Sequence, residues 1–551
     1  MGMYLNPGNE EFRMILKDDY QDKTGLAAVI NGRIDKGKCL ICISRPRRFG
    51  KSYAAKMLCA YYDHTCDSHE LFDGRDISTD ASYETHLNQY QVIYLDMTNL
   101  LGKVEPEKLV RFIEDSIESE IAEYYPDLKK GKTFDQTLLN AVEITRTPDK
   151  NNPKNSTVRK FIMIIDEWDA PIRETPQITE EYIKFLRMLF KSSGTTGKIF
   201  AGAYMTGILP IKKYGNESAV SDFSEFSIIS PGDYAPYTGF TEDDVKELCQ
   251  LHDISFKQMK FWYDGYNVGN IASIYNPYAV KKAIENKRFD SYWRHTSAAD
   301  NLLTYIDMSF KDNDDGGLQM AIARLIDGES IEIHTDSFQN DVSSFSTKDD
   351  VLTLLVHLGY LSYKSTVIVD DPENEITHKE EMVRIPNEEV RREFRNLLPK
   401  ARHDKIQRLL QQSKKLYDDT LAGHEADVVK YLKKIRHLNY APTFYNNEQA
   451  LRYVIKFAYI ICMDTYLKIE ELPSVHGVAD VVYLPLKRTD PALLIELKWN
   501  KTEEAAIAQI KKKDYPAILS NYFGKIILVG INYDSETDEH TCTIETLDKK
   551  E

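Results

Sequence analysis

The sequence predicts an α/β protein of three segments: an N-terminal parallel sheet covered on both faces (residues 1–236), a helical, winged-helix-like middle region (237–437) and a separate small α/β domain (438–551). Three observations predict this. The chain has 551 residues, too many for one simple domain at ~150 residues per domain. Short apolar runs alternate with longer mixed segments through the first 230 residues, the pattern of strands separated by helices. From Pro442 the pattern changes to helix, hairpin, helix, strand.

The first-segment strands are expected at Lys38–Ser44, Val92–Met97, Phe161–Asp166, Ile199–Thr206 and Phe226–Ser230, with a helix at Lys51–Tyr62. In the middle region, Thr241-Glu-Asp-Asp244 before Val245 and Leu248 reads as a capped helix start. Val351–Tyr360 followed by Leu361–Val369 and the acidic Asp370–Glu375 suggests a helix running into a β-hairpin, as in a winged helix. The charged stretch Asp404–Arg436 reads as a solvated helix, and the last boundary falls in Leu438–Thr443. Beyond it come a helix (Glu448–Met463), a hairpin (Val478–Leu484 and Ala492–Lys498), a helix (Glu503–Lys512) and a strand (Lys525–Ile531).

Composition, at 42% hydrophobic and 28% charged residues, excludes wholesale disorder. The longest apolar run, Phe457–Met463, is far below the ~18 residues a membrane span needs. The acidic N-terminus Met1–Phe12 lacks the features of a signal peptide, so a cytoplasmic protein without a membrane partner is expected. The net charge of −16 argues against a non-specific nucleic-acid coat and leaves room for a local basic groove. Seven scattered cysteines read as reduced, and Cys39-x-x-Cys42 falls inside an apolar strand, which accounts for both thiols.

Ser44-Arg-Pro-Arg-Arg-Phe-Gly-Lys-Ser52 follows an expected strand and opens an expected helix. That is the context of a phosphate-binding loop: backbone N–H groups of Phe49 and Gly50 and the helix N-terminus wrap a phosphate, Lys51 reaches the β- and γ-phosphates, and the Ser52 hydroxyl ligates Mg²⁺. Arg45 stands where the first glycine usually lies, so its backbone must avoid positive φ or carry strain. Arg47 and Arg48 are candidates to contact phosphate or a neighbouring acid. Phe161–Asp166 ends in two carboxylates; Asp166 is placed to hold the Mg²⁺ shell and Glu167 to polarise the attacking water. Thr206, at the polar end of the next strand, is a candidate γ-phosphate sensor or a plain turn residue.

A second constellation lies near the C-terminus. Strand alternation places Glu496 and Lys498 on one face, and a turn near Lys487–Asp490 brings Asp480 opposite them. Two acids and a lysine suit metal-dependent phosphodiester hydrolysis: Asp480 and Glu496 bind Mg²⁺, and Lys498 positions water and offsets negative charge. Glu448, opening the preceding helix, is a candidate to complete the site. A cross-strand salt bridge is the bland alternative.

Together these residues resemble predicted AAA-ATPase-like proteins, P-loop NTPases, fused to a C-terminal PD-(D/E)XK nuclease domain. The resemblance rests on Asp22-Lys23-Thr24, Arg45–Ser52, Asp166-Glu167, Thr206-Gly207, Tyr237–Thr241, Trp262–Tyr266, Tyr275-Asn-Pro277, Tyr292-Trp293, Asp480 and Glu496-Leu-Lys498. It covers nearly the whole chain. It implies ATP and Mg²⁺ as cofactors, Asp22–Thr24 bordering the nucleotide base, residues 237–437 as a helical lid and winged-helix-like module, DNA rather than RNA as nucleic-acid partner, and it leaves room for a homo-oligomer. The family pattern itself carries arginine at the position of Arg45. Some nuclease relatives place a tyrosine four residues after the helix glutamine; here that position, after Gln509, is Lys513. The expected function is an ATP-binding and hydrolysing protein whose nucleotide state controls a nuclease site. The rival is a nucleotide-dependent switch or scaffold whose nuclease-like domain binds nucleic acid or protein without cleaving.

Overall fold

The computed structural model describes residues 2–148, 156–191, 194–211, 213–214, 217–218, 222–293, 317–339, 345–371, 376–397, 404–439, 448–474, 477–487, 490–512 and 525–547. These fall into two compact units: one comprises 1–293, 332–345 and 349–390, the other 294–331, 346–348 and 391–551. Residues 391–437 thus group with the C-terminal sheet, where the sequence placed them in the middle segment.

The first unit is built on β1 (Leu40–Ser44), β2 (Gln91–Asp96), β3 (Phe161–Asp166), β4 (Phe200–Gly207) and β5 (Ser224–Phe226). They form one sheet in the order β2-β3-β4-β1-β5, with every pairing parallel. The uniformly apolar strands follow from burial on both faces. Ile41, Ile43, Ile162 and Ile164 enter one core, while Cys42, Met163 and Ile165 enter the other. In register, Asp96 lies beside Asp166, Asp166 beside Thr206, and Thr206 beside Ile43, so the carboxyl ends of four strands share one edge.

The strand expected at Phe226–Ser230 lies instead at Ser224–Phe226, sharing only Phe226 with that expectation. The Ser227 hydroxyl accepts the N–H groups of Ile229 and Ser230, and this local turn competes with the ladder. After β1, α1 spans Lys51–Tyr62. Further on, α2 (Glu242–Leu251) begins with a complete capping box between Thr241 and Asp244. Next come α3 (Phe256–Tyr263) and α4 (Pro277–Asn286), the latter capped by Asn276. Then α5 (Lys348–Leu358) leads into an antiparallel hairpin of β6 (Ser362–Asp371) and β7 (Ile376–Arg384).

In the second unit, α6 (Asp404–Ala422) and α7 (Glu425–Asn439) replace the solvated connector expected there. Gly423, at φ +76°, breaks them apart, and Leu416, Val428, Leu432 and Ile435 are fully buried, so one face of each helix is core. α8 spans Glu448–Ala458 and gives way to a 3₁₀ turn over Ile460–Asp464, because the Ser413 hydroxyl accepts the Ile461 N–H. The sheet is mixed: β8 (Tyr466–Ser474), β9 (Gly477–Pro485), β10 (Ala492–Trp499), β11 (Ile526–Asp534) and β12 (Glu539–Leu547), in chain order, with only β10 and β11 parallel. α9 (Glu503–Lys512) covers the face carrying Val482, Leu494 and Leu528. Among the described residues, no helix is long and apolar enough to cross a membrane, and all seven cysteines are free thiols.

Candidate functional site

β1 ends at Ser44, and the following six residues, Arg45–Gly50, turn the chain into α1. Gly50 caps that helix at φ +84°, with open space where a side chain would project. Its glycine is therefore demanded by backbone conformation rather than by crowding. Arg48 also sits at positive φ (+69°), and Arg45 does not. Arg45 is fully buried: its Nε donates to Thr238 Oγ1 (2.9 Å), and its Nη1 to the carbonyls of Ser44 (2.9 Å) and Phe226 (2.8 Å). The residue in the usual glycine position thus avoids the positive-φ turn and points away from the helix N-terminus.

A cavity of about 660 Å³ opens over that N-terminus. Arg48, Phe49, Gly50, Lys51, Ser52 and Glu167 line it, and Tyr20, Tyr237 and Tyr278 supply aromatic wall. No side chain caps α1, so the first-turn N–H groups carry the positive end of the helix dipole toward the cavity. Lys51 is nearly buried; its Nζ donates to the Pro46 carbonyl (3.0 Å) and pairs with Glu167 Oε1 (3.4 Å). Arg48 stacks over the Tyr278 ring at 3.8 Å and donates to the Tyr292 carbonyl. Phe49 is buried edge-on against Tyr266.

Two carboxylates meet this loop from β3. Burial pushes the Asp166 carboxyl up to about 6, against the Ser52 hydroxyl that hydrogen-bonds it. Asp166 and Ser52 thus offer adjacent hard oxygen donors of the kind Mg²⁺ takes. Glu167 adopts φ +51°, a strained conformation of the sort that persists at functional sites. Burial would raise its carboxyl, but Lys51 and Arg173 outweigh burial and hold it below the ordinary range. Arg173 bridges Glu167 (3.1 Å) and Asp169 (2.8 Å).

Asp169 makes no side-chain cap bond at the short helix it precedes; it accepts the N–H groups of Ile208 and Leu209. A side chain at Gly207 would fall 2.5 Å from Asp169 Oδ1, which explains the glycine after Thr206. Thr206 is fully buried, its hydroxyl beside the Tyr204 phenol, and does not line the cavity. Arg47 is outside the lining too, though its charge acts on Glu167. Arg173 has no assignable role from sequence; its i, i+4 spacing from Asp169 is the one trace of it.

In the second unit, the antiparallel register Val481↔Ile495 sets Asp480 beside Glu496. Asp480 Oδ1 accepts from Arg452 Nη2 (2.6 Å), and its Oδ2 from the Leu497 N–H (2.9 Å). Lys498 Nζ donates to Glu496 Oε1 (3.2 Å) and to the Leu497 carbonyl (2.7 Å), and Gln509 donates to the same Glu496 oxygen. All three predicted residues are nearly buried. Among the described residues, Glu448 hydrogen-bonds none of them; Arg452, one turn along α8, is the residue of that helix that reaches Asp480. Lys511 pairs with Glu545, and Lys513 lies outside the described residues.

With this geometry in hand, comparison with known proteins bears on the first unit. Residues 7–215 match the family described as predicted AAA-ATPase. The match spans β1 to β4 and includes Lys51, Ser52, Asp166 and Glu167. Among solved structures, a Walker-type ATPase of Pyrococcus abyssi is similar at 11% identity and TM-score 0.32, covering 65% of this chain and 91% of that one. The ORC2 protein of Aeropyrum pernix, in ADPNP–ADP complexes, is similar at 14% identity and TM-score 0.31, covering 68% and 92%. The chain matches none of the curated proteins.

Proposed function

We propose that the chain binds and hydrolyses ATP at the cavity over Gly50–Ser52, and that Asp480, Glu496 and Lys498 form a metal-dependent nuclease site acting on DNA under nucleotide control. The observation that carries the first half is the buried Lys51, poised at an uncapped helix N-terminus and paired with Glu167. An incoming triphosphate offers Lys51 a stronger partner than Glu167, because the loop N–H groups and the helix dipole already favour an anion there. Its displacement frees the Glu167 carboxylate on the lysine side, while Arg173 still orients it, and a carboxylate so placed accepts a proton from an attacking water. Mg²⁺, held by Ser52 and Asp166, would screen the phosphate charge when bound with the nucleotide.

At the second site, two adjacent buried carboxylates and a lysine fit a divalent cation and a phosphodiester. Asp480 and Glu496 would hold a divalent cation, which would supply Lewis-acid polarisation of the phosphodiester, and Lys498 would offset charge on the cleaved phosphate. The switch or scaffold reading draws on the same contacts: both Asp480 oxygens and Glu496 Oε1 already accept protein donors, so this pocket is also a satisfied ion-pair cluster.

The test is phosphate release, together with cleavage of labelled single- and double-stranded DNA with Mg²⁺ or Mn²⁺, with and without ATP, in wild type, Lys51→Ala and Lys498→Ala. ATP-altered cleavage lost in Lys498→Ala, with phosphate release lost in Lys51→Ala, is the expected result. Phosphate release without cleavage under any condition selects the switch or scaffold.

A further inference from the structure

Arg45, Pro46, Arg48 and Phe49 of the phosphate loop each meet segments that follow the parallel sheet. Pro46 lies against Gly359, where an added Cβ would come within 2.7 Å of it. Arg48 meets Tyr278 and Tyr292, and Phe49 meets Tyr266. Arg45 is the most deeply committed of these. Its guanidinium is fully buried among neutral acceptors, with no carboxylate in its hydrogen-bond set, and burial pulls it down to about 10. A buried charge is costly, and here it is held through Nε and Nη1 alone, since among the described residues the buried Nη2 makes no hydrogen bond.

One nitrogen of the guanidinium, Nη1, grips the end of β1, at the Ser44 carbonyl, and the end of β5, at Phe226. The Nε grips Thr238. Next to Thr238, Gly239 donates its N–H to the Phe49 carbonyl (2.9 Å) at φ +82°, with no room for a side chain beside Ile274. The segment Tyr237–Phe240 is thereby docked on the loop at two adjacent residues, and it leads straight into the capping box of α2. Tyr237, Gly239 and Phe240 also line the cavity.

We infer that Arg45 is a positioning residue that couples occupancy of the phosphate loop to the segment Tyr237–Phe240 and, through it, to α2. The inference rests on the nucleotide-binding reading above and adds to it the route by which phosphate is felt outside the loop. A phosphate that tightens the loop moves the Ser44 and Phe49 carbonyls, and the bonds at Thr238 and Gly239 carry that change to the entrance of α2. Lysine keeps the charge but presents one nitrogen in place of a fork, so it cannot hold Thr238, Ser44 and Phe226 together.

Hydrogen exchange read peptide by peptide, with ADP as the ligand, tests this in wild type, Arg45→Lys and Thr238→Val. In wild type, ADP should slow exchange in both Lys51–Ala60 and Phe240–Leu251. In Thr238→Val, the slowing at Lys51–Ala60 and the ADP Kd should stay within about twofold of wild type, while the slowing at Phe240–Leu251 falls about tenfold, the equivalent of one hydrogen bond to a charged group. Arg45→Lys should also lose the slowing at Phe240–Leu251; if it fails to fold, Thr238→Val decides. Unchanged slowing at Phe240–Leu251 in Thr238→Val overturns the inference, as does wild type that slows only at Lys51–Ala60. Wild type that binds no ADP overturns the nucleotide reading itself, and the inference with it.

Discussion

Asp166 concentrates the residue-scale chemistry of the first site. Its carboxyl, at about 6, lies above its ordinary value because it is buried. The folded state therefore holds that proton between roughly pH 4 and 6 while the unfolded chain has lost it, so this group's contribution to stability falls as pH rises through that window. A shift of this size corresponds to about 3 kcal/mol at pH 7. Asp166→Asn should raise the stability of the nucleotide-free protein near pH 7.5, lose that advantage near pH 4, and abolish phosphate release; urea denaturation at the two pH values checks it. Arg173 behaves oppositely. Removing it in Arg173→Ala leaves Asp169 nearly buried without its cation, and should cost about 2–4 kcal/mol by the same assay. The motif residues Gly50, Lys51, Ser52, Asp166 and Glu167 were legible because a strand–loop–helix context fixes where such side chains must go. Arg173 and Arg452 were not, since a long side chain's partner depends on packing that spacing alone does not reveal.

At the scale of elements, the glycines that join them are the sharpest test. Gly207 ends β4 against Asp169 and Trp168, and Gly265 meets the Pro386 carbonyl, where an added Cβ would lie 1.9 Å away. Gly265 also has φ +122°. Gly265→Ala should destabilise the first unit by about 3 kcal/mol or more, because backbone on both sides must shift. Gly50→Ala, with open space around it, should cost about 1–2 kcal/mol through φ alone; thermal unfolding of the two variants ranks them. The buried strands β1 to β4 were readable from continuous apolar runs. β8 and β12 were not, because edge strands such as Tyr466–Ser474 and Glu539–Leu547 carry charged and polar residues that blunt pairing and also hide the strand from a pattern search. The burial of α6 and α7 was masked similarly: their charged faces dominate the composition, and only the spacing of Leu416, Val428, Leu432 and Ile435 gives away the core stripe.

At the scale of the whole molecule, two compact units with separate hydrophobic cores each carry one of the two candidate sites. A ligand that binds one folded unit stabilises that unit by mass action, by about 2.7 kcal/mol at a hundredfold excess over Kd. Calorimetry should therefore show ADP raising the transition that Gly265→Ala lowers, and Mn²⁺ raising the one that Leu432→Ala lowers by about 2–4 kcal/mol. The proposed nucleotide site turns on Lys51 and the α1 N-terminus holding a nucleoside triphosphate. Its most direct test is isothermal titration of ATP with Mg²⁺ into wild type and Lys51→Ala, the fold of each checked by circular dichroism. Saturable one-site binding in wild type, weakened about a hundredfold or more in a folded Lys51→Ala, is the predicted result. Equal binding in both, or none in wild type, would contradict it.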